Sequence, residues 1–227
     1  TEIYTLSLHD ALPILNETIT VPEDIFEELT AQDASVAGFN PYEQPTVRDL
    51  LYGVLLPSGA DACETLARAV GGSEEGFVAM MNQKAEELGL TNTHFENCTG
   101  LHNDNHYSTC RDIAVLMSEC LKSDTFREIV TREVYTTEAT ASHPEGITLY
   151  DTMLHRFTSY EMSTTLENGA VIEGGKTGFT DEAGQCLVSF AEYGGEEYIL
   201  VTAEAMTDSG SAVDSIADAS TVYGRLQ

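Results

Sequence analysis

The chain has 227 residues, 42% of them apolar, with 38 acidic side chains against 10 basic ones and a formal net charge of −28. That length admits one medium domain, or one domain carrying a helical insertion, and the apolar share is enough for a packed core. The charge excludes DNA, RNA and anionic lipid surfaces, which would repel the chain, and no run of 18 apolar residues is present to cross a membrane. The acidity reads as a solvated surface.

Residues 1–14, TEIYTLSLHDALPI, resemble the translated text of a sequencing-adapter oligonucleotide. They are set aside from the fold, and native sequence is expected to begin near Leu15, in the middle of a gene and without an export signal. Residues 19–21 predict a short strand. Pro22 then opens an acidic helix to about Leu29, and residues 38–44 form a turn-rich loop. Thr46 and Asp49 resemble a capping box, with Asp where Glu or Gln is usual, for an apolar helix over 47–56. Pro57 breaks it. Ser58 is expected to cap a second helix over about 60–70, ended by Gly71 and Gly72. Ser73 starts a third, in which Phe77, Met80, Met81, Ala85 and Leu88 share one face. A polar loop over 92–105 follows. Ser108 or Thr109 caps a fourth helix to Leu121, and Ser123 caps a short fifth.

Beyond about residue 130 the pattern changes. Residues 133–137 alternate as a strand does. Residues 169–180 are glycine-rich around a strand-like core. Residues 185–192 and 197–205 are two apolar strand signals joined by Tyr193-Gly194-Gly195, a hairpin. Residues 211–226 read as a helix. A helical block over about 46–130 inserted into a sheet subdomain over about 131–227 predicts an α+β fold.

The chain has five cysteines and no C-x-x-C. An odd count argues against a disulfide framework or a zinc ribbon, and leaves at least one thiol free or paired outside the chain. Lys84, Lys122 and Lys176 are its three lysines. Two short elements stand out. One is Pro57-Ser58-Gly59-Ala60-Asp61, a serine after a proline break. The other is Gly174-Gly175-Lys176-Thr177-Gly178-Phe179-Thr180. Either alone is weak, since a serine there is ordinarily a helix cap and a lysine between glycines is ordinarily solvated.

Their setting is specific. The stretches TVRDLLYGVLLPSGADA, GGSEEGFVAMMNQKAEELGLTNTHFENCTGLHNDNHYSTCRDIAVLM and GGKTGFTDEAGQCLVSFA together resemble the D-alanyl-D-alanine carboxypeptidases, the low-molecular-weight penicillin-binding proteins. The resemblance covers roughly residues 15–205. It implies a transpeptidase-like fold shared with β-lactamases, an antiparallel sheet with helices plus an all-helical subdomain. It implies a serine peptidase that removes the terminal D-alanine from peptidoglycan pentapeptide stems through an acyl-enzyme, outside the cytoplasmic membrane. The implied partners are that stem peptide and, in the intact parent, β-lactam antibiotics; no cofactor and no metal are implied. By resemblance Ser58 is the serine of the second motif and relays a proton to the leaving nitrogen. Lys176, with Thr177, would hold the terminal carboxylate, Gly178 would let the substrate lie along the strand, and the Phe179 N–H would supply half of an oxyanion hole.

Two departures stand against the pattern. The second motif is S-x-N in the family, and here its third position is Ala60. The nucleophile motif S-x-x-K is absent, because Met81, Glu119 and Glu173 stand three residues before the lysines. The polypeptide is therefore expected not to form an acyl-enzyme, and its sheet domain to lose stability. Three other readings compete. A metal hydrolase would use His94, His102 and His106, but these fall in a polar loop without H-E-x-x-H, where local hydrogen bonding is the ordinary role. A non-catalytic peptidoglycan-binding relative is favoured by Ala60. A β-lactamase is a rival within the enzyme class.

Overall fold

A computed structural model of the chain describes residues 15–205 and 213–227. The adapter-like segment 1–14 and the first residues of the predicted C-terminal helix lie outside the described residues. The fold is α+β, built from eight helices and five strands among the described residues.

The first described stretch forms no strand. It runs as a bridge at Thr18 to Thr46, continued by Ile19 N–H to Pro45 O and Val21 N–H to Glu43 O. Helix α1 is Ile25–Ala31, so Pro22 precedes it rather than opening it. Helix α2, Val47–Leu55, has the expected capping box: Thr46 accepts from the Asp49 N–H, and the Asp49 carboxylate accepts from the Thr46 N–H. Asp49 is fully buried and also accepts from the Tyr135 hydroxyl at 2.9 Å, while Tyr135 stacks on Tyr52 at 3.6 Å. One residue thus caps a helix and anchors the strand beyond the helical block.

Helix α3 is Ala60–Gly71, but its N-cap is Gly59, with no side-chain cap. Ser58 does not cap it; its side chain is engaged elsewhere. Ser73 caps α4, Glu74–Glu87, through the Gly76 N–H, and the buried face of α4 is Phe77, Met81 and Ala85, with Met80 and Leu88 at its margin. Thr109, not Ser108, caps α5, Cys110–Cys120, and Ser108 instead meets Thr93. Ser123 caps α6, Asp124–Val130.

Strand β1, Val134–Thr136, pairs antiparallel with β2, Thr148–Tyr150, and a short helix α7, Leu154–Ser159, follows. Neither β2 nor α7 is legible in the sequence, being too short to develop a period. The main sheet has the order β3-β4-β5, with β3 Val171–Thr180, β4 Gly184–Tyr193 and β5 Glu196–Ala205, all antiparallel. Gly194 and Gly195 form the two-residue β4–β5 turn with φ of 64° and 83°, the left-handed pair that a type I′ hairpin demands. Helix α8 is Asp214–Tyr223.

Strand periodicity splits the core into two clusters. On β4, Val188 and Phe190 face the helical block and join Leu50, Leu66, Phe77, Phe126 and Ile129. The alternate residues Leu187 and Ala191 face the other way, against Met153, Phe157, Ile216, Ala219 and Tyr223. The sheet is therefore the middle layer, between the helical block and the pair α7 and α8.

Candidate active site

Ser58 stands half-buried at the break between α2 and α3, with φ of 62°, an unusual backbone for a side-chain-bearing residue. Its neighbours fix it there. The Gly59 N–H donates to Gly53 O at 2.9 Å, and the Ala60 N–H to Ser35 O at 2.8 Å. A Cβ on Gly59 would lie 2.6 Å from the Ala37 backbone nitrogen, so only glycine fits. The buried Asp61 carboxylate then accepts from three backbone N–H groups, those of Ala37, Gly38 and Phe39, at 2.7, 2.9 and 3.0 Å.

Lys176 reaches Ser58 from the sheet. The register of β3 against β4 shifts between Ile172 and Gly174. Ile172 joins the cluster on the α8 side, but past the shift Lys176 pairs with Val188 and so faces the helical block. The extra residue, Glu173, inverts the strand's parity. Lys176 is only 3% exposed; its ammonium donates to Ser58 Oγ and to Thr177 O. Burial pushes its pKa down to about 8, opposed by the charge of Asp151 and assisted by that of Arg156.

Asp151 and Thr152 complete the arrangement, and sequence reading missed both. One Asp151 oxygen accepts from the Met153 and Leu154 N–H groups at 2.9 and 2.6 Å, at the start of α7. The other is buried without a hydrogen-bond partner. Burial pushes the Asp151 carboxyl up to about 6, against the pull of the two N–H groups and of Lys176. Thr152 donates its N–H to Leu56 O at 3.1 Å, and its hydroxyl lies 2.6 Å from that of Thr177. The available signal was an Asp-Thr pair just ahead of an apolar run, a helix-start pattern.

Lys176 lines a cleft of about 720 Å³ together with Gly178, Phe179, Leu101, His102, Ile113 and Cys186. Phe179 is 60% exposed and Gly178 half-buried, both on β3, an edge strand of the described sheet. A second cleft of about 720 Å³ shares Leu101, His102 and Asn103 with the first and is also bounded by Phe179, Thr180, Asp181 and Glu182. His102, which lines both, lies 3.6 Å from Glu182.

The structure thus brings Ser58, Lys176 and Thr177 together, with Gly178 and Phe179 continuing along the same strand. Ala60 is buried in the core, so no polar side chain of that position faces the cleft. The three histidines do not converge. His94 pairs with Glu96 at 3.0 Å, His106 accepts from the Glu96 N–H at 3.2 Å, and His102 sits near Asp104 and Glu182.

The family model described as D-alanyl-D-alanine carboxypeptidase matches residues 5–207. A D-alanyl-D-alanine carboxypeptidase of Bacillus subtilis is 35% identical over 182 residues, 80% of this chain and 43% of that protein. One from Streptomyces sp. is 35% identical over 191 residues, 82% of this chain and 63% of that protein. The chain therefore spans only about half the length of the curated relatives it matches. The crystal structure of a Streptomyces DD-transpeptidase superposes with a TM-score of 0.80 at 31% identity, covering 98% of this chain and 85% of that one.

Proposed function

The chain belongs to the D-alanyl-D-alanine carboxypeptidase family, and from that premise we propose that its cleft binds the acyl-D-alanyl-D-alanine end of a peptidoglycan stem peptide and serves the removal of the last D-alanine. The observation that carries this reading is the hydrogen bond to Ser58 from buried Lys176, which itself lines the first cleft. An ammonium held by burial on an edge strand is a site for a free carboxylate, whereas the Thr177 hydroxyl is taken up by Thr152 on the other face of β3. Because Ser58 Oγ accepts from Lys176, its own proton is free to be donated onward. In an acyl transfer the nitrogen leaving with the terminal D-alanine needs that proton, and Lys176 can replace it. The Phe179 N–H is the matching donor for the developing oxyanion, and Gly178 lets an extended peptide lie against β3.

The attack itself needs a serine with a lysine one helical turn on, and none of the three lysines in the sequence has a serine three residues before it. The residues in hand thus supply binding and proton relay, and the proposed activity belongs to the protein that also carries the nucleophile. Peptidoglycan stems lie outside the cytoplasmic membrane, so the proposed site of action is there. Among the described residues no helix is long and apolar enough to cross a membrane. The reading of a peptidoglycan-binding relative without catalysis draws on the same two departures, Ala60 and the missing S-x-x-K.

Calorimetric titration with an N-acyl-D-alanyl-D-alanine peptide tests the binding half. Binding is expected for the free carboxylate and not for its C-terminal amide. Lys176→Ala should weaken it by about ten- to a hundred-fold, the value of a charge-assisted hydrogen bond of roughly 1.5–3 kcal/mol. Equal affinity for acid and amide would remove the proposal. A fluorescent penicillin distinguishes the catalytic half: this chain should take no covalent label, and labelling would mean that another residue acts as nucleophile.

A further inference from the structure

We propose that Cys63 and Cys98 form a disulfide that ties helix α3 to the loop walling the cleft. The two sulfurs lie 3.5 Å apart, and both residues are buried, at 3% and 1% exposure. Forming the bond requires closing that gap to about 2.05 Å. Cys63 sits in the first turn after the break that holds Ser58. Cys98 sits in a loop tightened by Asn97, whose side chain donates to Leu101 O at 2.8 Å and accepts from the Gly100 N–H at 2.7 Å. Gly100 and Leu101 line the cleft that Lys176 enters. The bond would therefore fix the start of α3, next to the Ser58 turn, to the loop that lines the cleft. Neither serine relay nor carboxylate binding uses these thiols.

The step needs a two-electron oxidant, here a small-molecule disulfide or the disulfide of an oxidoreductase. The Cys98 thiolate attacks one sulfur of that disulfide and expels a thiolate. Cys63, having lost its proton, then attacks the Cys98 sulfur of the mixed disulfide and expels the second thiol. Two cysteine thiols become one S–S bond, and the reagent leaves as two thiols. Both thiol protons leave to solvent while the loop is still open; in the closed loop the Cys98 thiol donates to Glu64 at 3.2 Å, and burial, then the charge of Glu74, holds the Glu64 carboxyl up at about 7. The Cys98 thiol is itself pushed up, first by its contact with Cys63 and then by burial and the two carboxylates. A thiolate is thus disfavoured once the loop has closed. The bond is therefore expected to form while the chain folds, before the pair is fully buried.

Cys110 is exposed and Cys186 half-buried, both on the first cleft, so they are the competing partners for an oxidant. Glu64, Glu74 and Cys98 also bring ligand atoms within 4.8 Å of one another, so a soft cation is the competing explanation for the cluster. The test is to refold the whole chain in a glutathione redox buffer, denature it, label free thiols with a maleimide and map the peptides. Labels on Cys110, Cys120 and Cys186 alone, with a linked peptide pair containing Cys63 and Cys98, are expected. Adding reductant should then lower the thermal midpoint of the native chain. The double variant Cys110→Ser/Cys186→Ser, which leaves the pair in place, should keep that reductant-dependent drop. Labels on all five thiols, a link through Cys110 or Cys186, or protection released by a chelator without reductant would overturn the proposal.

Discussion

Lys176 carries its ammonium into a place where burial works against charge, and this gives the site a pH signature. With its pKa near 8, the side chain loses its proton as pH rises through that value. Affinity for a peptide with a free carboxylate should therefore be full below about pH 7 and fall above 8, as measured by titration across that range. Asp151 pulls the lysine the other way, so Asp151→Asn should move the fall to lower pH. With only three lysines in the chain, carbon-13 NMR of labelled lysine can follow the same protonation directly. Stability responds with its own signs. The folded chain holds fewer protons than the unfolded one between about pH 8 and the ordinary lysine pKa of 10.5, so Lys176 makes stability rise across that window. Asp151, raised to about 6 from 3.8, makes stability fall as pH climbs between those values. Asp61 is a separate case. Asp61→Ala leaves three backbone N–H donors without an acceptor in a buried turn, and should cost about 3–5 kcal/mol in urea denaturation.

At the level of single elements, the sequence made the helices legible because they carry caps and a 3.6-residue period. Thr46, Ser73, Thr109 and Ser123 cap their helices as their spacing predicts. Ser58 is the exception: it had the residue type and position of a cap, but tertiary contact with Lys176 claims its hydroxyl, and Gly59 takes the cap position. The hairpin at Gly194-Gly195 was legible from turn chemistry alone. Strand β3 was legible as a strand, yet its facing was not, because the one-residue bulge after Ile172 has no local sequence signal. That bulge sets where Lys176 points relative to Ile172. Deleting Glu173 should heal the bulge while leaving Ile172 opposite Ala191 and Lys176 opposite Val188, so the ammonium should still face the helical block. Carboxylate binding should therefore survive within about ten-fold in the deletion and within about two-fold in Glu173→Ala; peptide titration of both variants decides it, and loss of binding in the deletion would mean that the strand slips its register instead. Strand β2 and helix α7 escaped notice, and with them Asp151 and Thr152, since three and six residues are too few for periodicity to speak.

For the molecule as a whole, the family resemblance read from three quoted stretches named the fold class, and the comparisons agree with it over most of the chain. What composition adds is electrostatic. A net charge of −28 on 227 residues means that like charges crowd one surface. Screening should relieve this, so the thermal midpoint is expected to rise when sodium chloride is increased from about 0.01 to 0.3 M, over which the Debye length falls from roughly 30 Å to below 10 Å. A calorimetric scan at each salt concentration checks it; a midpoint that falls with salt would mean that attractive ion pairs such as Arg68–Asp24 and Arg127–Glu197 outweigh the repulsion. The sheet lies between two apolar clusters, so either layer can be perturbed separately by truncating Phe190 or Ile216.

Thr152 joins these layers in a way that bears on how the site keeps its shape. Its N–H holds Leu56, just ahead of the Ser58 turn, and its hydroxyl holds Thr177, just past Lys176. The separation of serine and lysine is therefore gauged by a single residue that belongs to neither the helical block nor the main sheet. Such a residue acts as a common datum. Loosening Thr152 would therefore let Ser58 and Lys176 drift apart even with both of their side chains intact.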